Sequence, residues 1–134
     1  GERDPAEAAA RYGRQLRQSL GPLPRFHLIV LGMGPDGHTA SLFPHSPALQ
    51  ETERLASENY VEKLQAHRLT LTLPVLNGAE QVLALAMGRD KAATLRDVLQ
   101  GEHRPSDLPV QAVRPMSGRM LWLVSPEAAS ELRQ

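Results

Sequence analysis

The 134-residue sequence predicts an α/β architecture: part of a doubly wound, mostly parallel sheet with flanking helices. Three observations carry this expectation. Short apolar runs rich in branched residues alternate with segments of helical periodicity, the pattern of strands joined by crossover helices. The first run, residues 26–32, ends in a glycine-rich turn that leads into a new element, as strand-to-helix junctions of open sheets do. The chain opens on a helical segment and offers about four strands, fewer than a complete doubly wound sheet uses. Residues 1–134 are therefore expected to form one α/β unit that is part of a longer domain.

Composition narrows the function classes. Hydrophobic residues make up 41% and charged residues 22%, enough for one ordinary core and crowded for two. Fifteen basic and fifteen acidic residues cancel, so the charge recommends neither a nucleic-acid nor a membrane-surface partner, and an anionic ligand must be caught locally. There is no cysteine, which excludes disulfides and thiolate metal sites and fits a reducing compartment. No run approaches the roughly 20 apolar residues of a membrane helix, and the opening GERDPAEAAARYGRQLRQSL lacks the apolar centre of a signal peptide. The chain reads as cytoplasmic, with no signal for its oligomeric state.

Asp4 followed by Pro5 makes an N-cap and first-turn pair. Ala8, Tyr12, Leu16 and Leu20 then recur at helical spacing until Gly21 and Pro22 stop the helix. Residues 26–32, FHLIVLG, are almost continuously apolar, which suits a strand covered on both faces. GHTASLF, residues 37–43, reads as a short helix cut off by Pro44 and Pro47, and the polar residues 50–59 read as loop. Alternation from Arg68 to Leu73 predicts a half-buried strand, with a helical segment opening at Pro74. Residues 81–88 form a third apolar strand. Residues 89–101 follow as a helix with Ala92, Leu95, Val98 and Leu99 inward and Gly101 at its end. Residues 102–115 are a proline-broken loop, 118–125 a fourth strand and 126–134 a terminal helix.

The turn after the first strand holds Gly32, Gly34 and Gly37, the G-x-G-x-x-G spacing of a dinucleotide site. Such a site also needs a full helix facing the pyrophosphate and an acidic residue on a second strand about 20 residues later. Pro44 stops the helix early, and Glu51 and Glu53 have no strand to present them, so the nucleotide reading fails. The glycines still permit close backbone approach, and amides at a helix start favour an anion or a developing negative charge. Asp36 is placed either to cap that helix or to orient a neighbour. His38, in the first turn at the carboxyl edge of a strand, would be held neutral by the helix N-terminus and so be usable as a general base. The alternative is a histidine that only hydrogen-bonds its own turn. His27, His45, His67 and His103 read as structural or solvated, and Asp36, His38 and His45 match no familiar ligand spacing, so no metal site is expected.

The string LGMGPDGHTASLFP, residues 31–44, closely resembles the signature of the 6-phosphogluconolactonases, hydrolases of a glucosamine-6-phosphate isomerase/deaminase-like superfamily. HRLTLTLPVLNGAEQVLALAMGRDKAATLRDVLQG is similar to that family's R-x-T-L-T-x-P-x-L-N segment with the strand, glycine, lysine and helix behind it, and LPVQAVRPMSGRMLWLVS is similar to its closing strand. The resemblance implies a sugar-phosphate isomerase/deaminase-like fold. It also implies hydrolysis of 6-phospho-D-glucono-1,5-lactone to 6-phosphogluconate in the pentose phosphate pathway, with no cofactor and no metal. Family members carry an earlier S-G-G-S-T-P-like phosphate loop and a D-E-R strand end. Neither string occurs here, so the chain is expected to be the C-terminal portion of a longer lactonase domain, with little or no turnover alone.

By the same resemblance His38 carries over as the base that activates water and returns a proton to the departing ring oxygen, with Asp36 beside it. The amides from Gly34 to Gly37 are the expected oxyanion donors. Lys91, near a helix start after Gly88, and Arg68, opening a strand, are the cations assigned to substrate phosphate or sugar oxygens. On residue type alone both are solvated surface charges. The deaminase pattern D-G-H-I-A-F-N-E-P has a glutamate just before its proline where this chain has Phe43, which favours hydrolysis over a sugar-phosphate isomerase or deaminase reaction. A non-catalytic sugar-phosphate-binding fragment is the remaining alternative.

Overall fold

The computed structural model describes residues 4–133. In chain order these form α1 (Pro5–Leu20), β1 (Ile29–Gly32), β2 (Ala56–Val61), β3 (Ala66–Leu71), α2 (Leu73–Asn77), β4 (Gln81–Ala86), α3 (Ala92–Gln100) and β5 (Arg119–Val124). Strands β1, β4 and β5 make a parallel sheet in the order β1-β4-β5, with Ile29 opposite Val82 and Gln81 opposite Arg119. The α/β class with a parallel sheet and flanking helices is as expected. The strand anticipated from Arg68 does not join that sheet: it is β3, paired antiparallel with β2 in a separate hairpin.

Alternation along the parallel strands turns Ile29, Leu31, Val82 and Ala84 inward, and the first three pack with Leu42, Leu76 and Val113. Beside them Ala86 joins Met33, Leu95, Val110 and Ala128 in a second cluster. The opposite sheet face presents Val30, Leu121 and Leu123, each about half exposed. Strand β1 is thus covered on one face, not on both as its apolar run implied. The reason is where α1 goes: it packs on β2 and β3 and leaves that sheet face bare among the described residues.

Helix α1 starts as its sequence requires, with Asp4 Oδ1 accepting from the Ala6 and Glu7 amides at 3.0 and 3.2 Å. Its buried stripe is Ala8, Ala9, Gly13 and Leu16, while Tyr12 and Leu20 are exposed. Small residues face the hairpin because the helix approaches it closely, and the bulkier Tyr12 is left at the edge.

Three other expectations are corrected. Residues 37–43 form no helix: Thr39 bridges to Met33 and Leu42, and Ala40 adopts a left-handed φ of 50°. Residues 50–59 are not all loop, since β2 begins at Ala56. Its inward positions include the polar Ser57 and Asn59, which hides the hydrophobic alternation. Residues 126–131 make successive turns instead of a helix. Their backbone bonds mix spacings of three and four residues, and Glu131 and Arg133 are tied to Arg96 and Gln100 on α3.

Candidate active site

The turn that follows β1 is held by three separate parts of the fold. Within it, the Gly34 N–H donates to the His38 carbonyl at 2.9 Å and the Gly37 N–H to the Gly34 carbonyl at 3.0 Å. The buried Thr39 hydroxyl donates to the Gly32 carbonyl at 2.8 Å. From the proline-rich loop, the Val110 N–H donates to the Gly37 carbonyl at 3.0 Å, and from α3 the Thr94 hydroxyl donates to the Pro35 carbonyl at 2.5 Å. The hairpin fixes the next residues: the Ser41 N–H donates to Thr70 Oγ1, and Asn59 Nδ2 donates to the Ser41 carbonyl.

Two glycines in the turn are required by space. A Cβ on Gly34 would stand 2.2 Å from Cε1 and Nδ1 of His38, so the imidazole lies where a side chain would be. Gly37 has a φ of +77°, and a Cβ there would meet Leu108 Cδ2 at 2.8 Å. These constraints place the His38 ring. Its Nδ1 is 2.5 Å from Asp36 Oδ1, and its backbone N–H donates to the same oxygen at 3.1 Å. The other carboxylate oxygen, Oδ2, accepts from Lys63 Nζ at 2.6 Å. The Phe43 ring stacks on the imidazole with centroids 4.3 Å apart and planes 22° from parallel, and Lys63 Nζ stands 4.8 Å from the Phe43 centroid.

Partial burial works against the charged form of Asp36. The hydrogen bonds from Lys63, from the His38 ring and from the His38 amide outweigh it and hold the carboxyl at about 2, against an ordinary 3.8. Asp36 is therefore a carboxylate at any pH at which histidine titrates, and of the two roles open to it, the structure gives it the orienting one.

Two sequence-based arguments need correction here. His38 does not sit at a helix N-terminus, so no helix dipole acts on its ring; the adjacent charges are Asp36 and, behind it, Lys63. The Gly34 and Gly37 amides are also consumed inside the turn. Pro35 has no N–H, which leaves the Asp36 N–H as the one amide from Gly34 to Gly37 without a partner among the described residues.

Open clefts lie on both sides of the pair. One, of about 450 Å³, is lined by Gly34, Pro35, His38, Ala40 and Lys91 together with the end of β1. The other, of about 490 Å³, is lined by Asp36, Phe43, His45, Tyr60 and Lys63 among others. Lys91 closes the short turn that precedes α3, mostly buried, with Nζ 2.7 Å from Asp90 Oδ2. That hydrogen bond lowers the Asp90 carboxyl below its usual range. The structure thus gathers Gly34, His38 and Lys91 along one cleft, with Asp36 and Gly37 in the turn behind. Arg68 is not brought in: it is exposed on β3 opposite Asn59 and lines neither cleft. Lys63 escaped the sequence reading, because nothing local marks a lysine that reaches Asp36 across 27 positions. Among the described residues no cluster of three or more His, Asp or Glu is placed to hold a metal ion.

The chain is similar to known proteins in sequence and in fold. A 6-phosphogluconolactonase of Rattus norvegicus is 44% identical over 133 residues, covering 94% of this chain and 51% of that protein. The structure of 6-phosphogluconolactonase from Trypanosoma brucei superposes with a TM-score of 0.81 at 28% identity, over 95% of this chain and 53% of that one. The crystal structure of devB protein superposes with a TM-score of 0.89 at 26% identity, over 98% of this chain and 56% of that one. The chain spans about half the length of the curated relatives it matches. Residues 1–122, which include the His38 turn, α3 and the first two strands of the parallel sheet, match the family described as Glucosamine-6-phosphate isomerases/6-phosphogluconolactonase, and the chain belongs to that family.

Proposed function

We propose that the protein hydrolyses 6-phospho-D-glucono-1,5-lactone to 6-phosphogluconate, with His38 as the general base. The observation that carries this reading is the His38 ring, anchored through Nδ1 to Asp36 and lining a cleft with Lys91. A carboxylate accepts only from Nδ1–H, so the neutral ring carries its proton there and keeps a lone pair on Nε2. Nε2 has no hydrogen-bond partner among the described residues. It takes a proton from water as the water oxygen bonds to the lactone carbonyl carbon. The tetrahedral intermediate then breaks its bond to the ring oxygen, which receives the proton back from the imidazolium. Asp36 stabilises that imidazolium, as the carboxylate of a catalytic triad does. Lys91 is the cation in the same cleft for the substrate's phosphate, the Asp36 N–H is the remaining backbone donor for the oxyanion, and Arg68 lies outside both clefts.

The reading sets the protein in the cytoplasm, acting on a small sugar-phosphate lactone. It accords with the finding that no helix among the described residues is long and apolar enough to cross a membrane. Phe43 supports hydrolysis over deamination, because an aromatic ring stacked on the base cannot relay a proton. The test is His38→Ala in the polypeptide as its gene encodes it, with 6-phosphogluconate followed by a coupled dehydrogenase and spontaneous hydrolysis subtracted. The rate should fall roughly 10²- to 10⁴-fold with the circular dichroism spectrum unchanged. A variant within a few-fold of the parent would remove His38 from the reaction.

A further inference from the structure

We propose that Lys63 is a positioning residue for His38, acting from the turn between β2 and β3 by holding both groups that touch the imidazole. The inference rests on the reading of His38 as base and deepens it. One ammonium reaches Asp36 Oδ2 at 2.6 Å and lies 4.8 Å from the Phe43 centroid. Asp36 grips the ring edge through Oδ1, and Phe43 covers a ring face. The imidazole is thus fixed on two sides by residues that share a single cation.

An exposed lysine–carboxylate pair ordinarily contributes little, because two mobile side chains must be ordered in water. This pair differs on the carboxylate side. Asp36 is already immobilised by its bonds to the His38 ring and amide, and its own carboxyl is held at about 2. Only the lysine remains to be ordered, and its stem belongs to a hairpin that also ties Ser41 through Thr70 and Asn59. By occupying Oδ2, Lys63 leaves Oδ1 as the oxygen that faces Nδ1. Without it, Asp36 keeps only its bonds to His38 and has nothing on its far oxygen, and Phe43 loses the cation over its ring. The other titratable groups lining the two clefts are Tyr60, Glu62 beside Lys63, His45 paired with Asp107, and Lys91 paired with Asp90.

Lys63 lines the cleft opposite to the one that holds His38 and Lys91. Its loss should therefore reach the reaction through the ring, with kcat falling and KM held. The experiment compares the parent with Lys63→Met and Lys63→Arg, reading kcat and KM on the lactone and the imidazole ¹⁵N spectrum of His38 at alkaline pH. In the parent, Nδ1 is the protonated nitrogen and Nε2 the bare one. In Lys63→Met the two signals should move toward each other as tautomers mix, with kcat about tenfold lower and KM changed less than twofold. Lys63→Arg, whose guanidinium keeps both the carboxylate and the ring, should restore the parent pattern. If Lys63→Met loses the backbone spectrum of the fold, Lys63→Gln carries the same readouts. An unchanged ¹⁵N pattern in Lys63→Met, or a tenfold rise in its KM at constant kcat, overturns the proposal. A parent protein without lactone hydrolysis instead overturns the reading of His38 as base, and the ¹⁵N comparison still decides on Lys63.

Discussion

Two histidines near the same end of the molecule each face a carboxylate, and only one of them is held from several sides. His38 Nδ1 meets Asp36 at 2.5 Å with side chains 26% and 32% exposed, whereas His45 Nε2 meets Asp107 at 2.9 Å with side chains 70% and 43% exposed. The distances are alike, and the surroundings are not. The His38 pair has a glycine beneath the ring, a stacked Phe43 and a lysine on the far carboxylate oxygen, all partly shielded from water. Among the described residues the Asp107 carboxylate has only the exposed Arg104 as a second side-chain partner, at 3.3 Å. A charge pair in open water contributes little in either direction, so what separates the two is the number of constraints around each ring and the screening it escapes.

The sharpest way to erase that difference is to refill the space beneath the ring. Gly34→Ala puts a methyl group 2.2 Å from Cε1 and Nδ1 of His38. The imidazole is the end of a side chain and can swing aside, so the fold should persist while the ring leaves Asp36. Activity should then fall nearly as far as in His38→Ala, roughly 10²- to 10⁴-fold, with the thermal midpoint shifted by only a few degrees. Near-normal turnover in a folded Gly34→Ala variant would show that the observed ring position is not the working one.

Asp36→Asn comes next, because it keeps the shape and removes the charge. An amide oxygen can still accept from Nδ1–H but cannot balance the imidazolium, so kcat should drop about 10²-fold. The same variant carries a stability signature with a definite sign. The folded-state carboxyl titrates at about 2 and an ordinary one at 3.8, so between those values the unfolded chain binds more protons. The contribution of Asp36 is present above about pH 4 and lost as pH falls through about 2. In urea titrations the gap between the parent and Asp36→Asn should narrow steadily across that window. A gap that widens on acidification would contradict the pairing with Lys63 and His38.

How much of this could be read in advance depends on the range of the interactions. The Asp4 cap, β4 and β5 declare themselves in local pattern, and the Asp36–His38 contact spans two positions in one turn. Strand β2 was hidden because Ser57 and Asn59 fill inward positions, where the hairpin and Ser41 satisfy their polar groups. The short helix expected at residues 37–43 was lost to bonds no local rule supplies: Thr39 to the Gly32 carbonyl and Ser41 to Thr70. The same holds for Lys63 and for the bare sheet face, which depends on α1 choosing the hairpin. Residue types near one another in sequence were legible, whereas the partners delivered by the hairpin were not.

The smallest expected effect is also the cleanest check on the comparison. His45→Ala removes an exposed pair and keeps a residue with a Cβ at the left-handed φ of 58°, so no backbone strain is relieved there. Asp107 retains Arg104. Stability should change by less than about 1 kcal/mol, and kcat and KM should stay within twofold. The measurement matters because His45 lines the second cleft together with Asp36, Phe43 and Lys63. A KM raised tenfold or more by this substitution would mean that substrate occupies that cleft, and that the exposed histidine is the one that meets it.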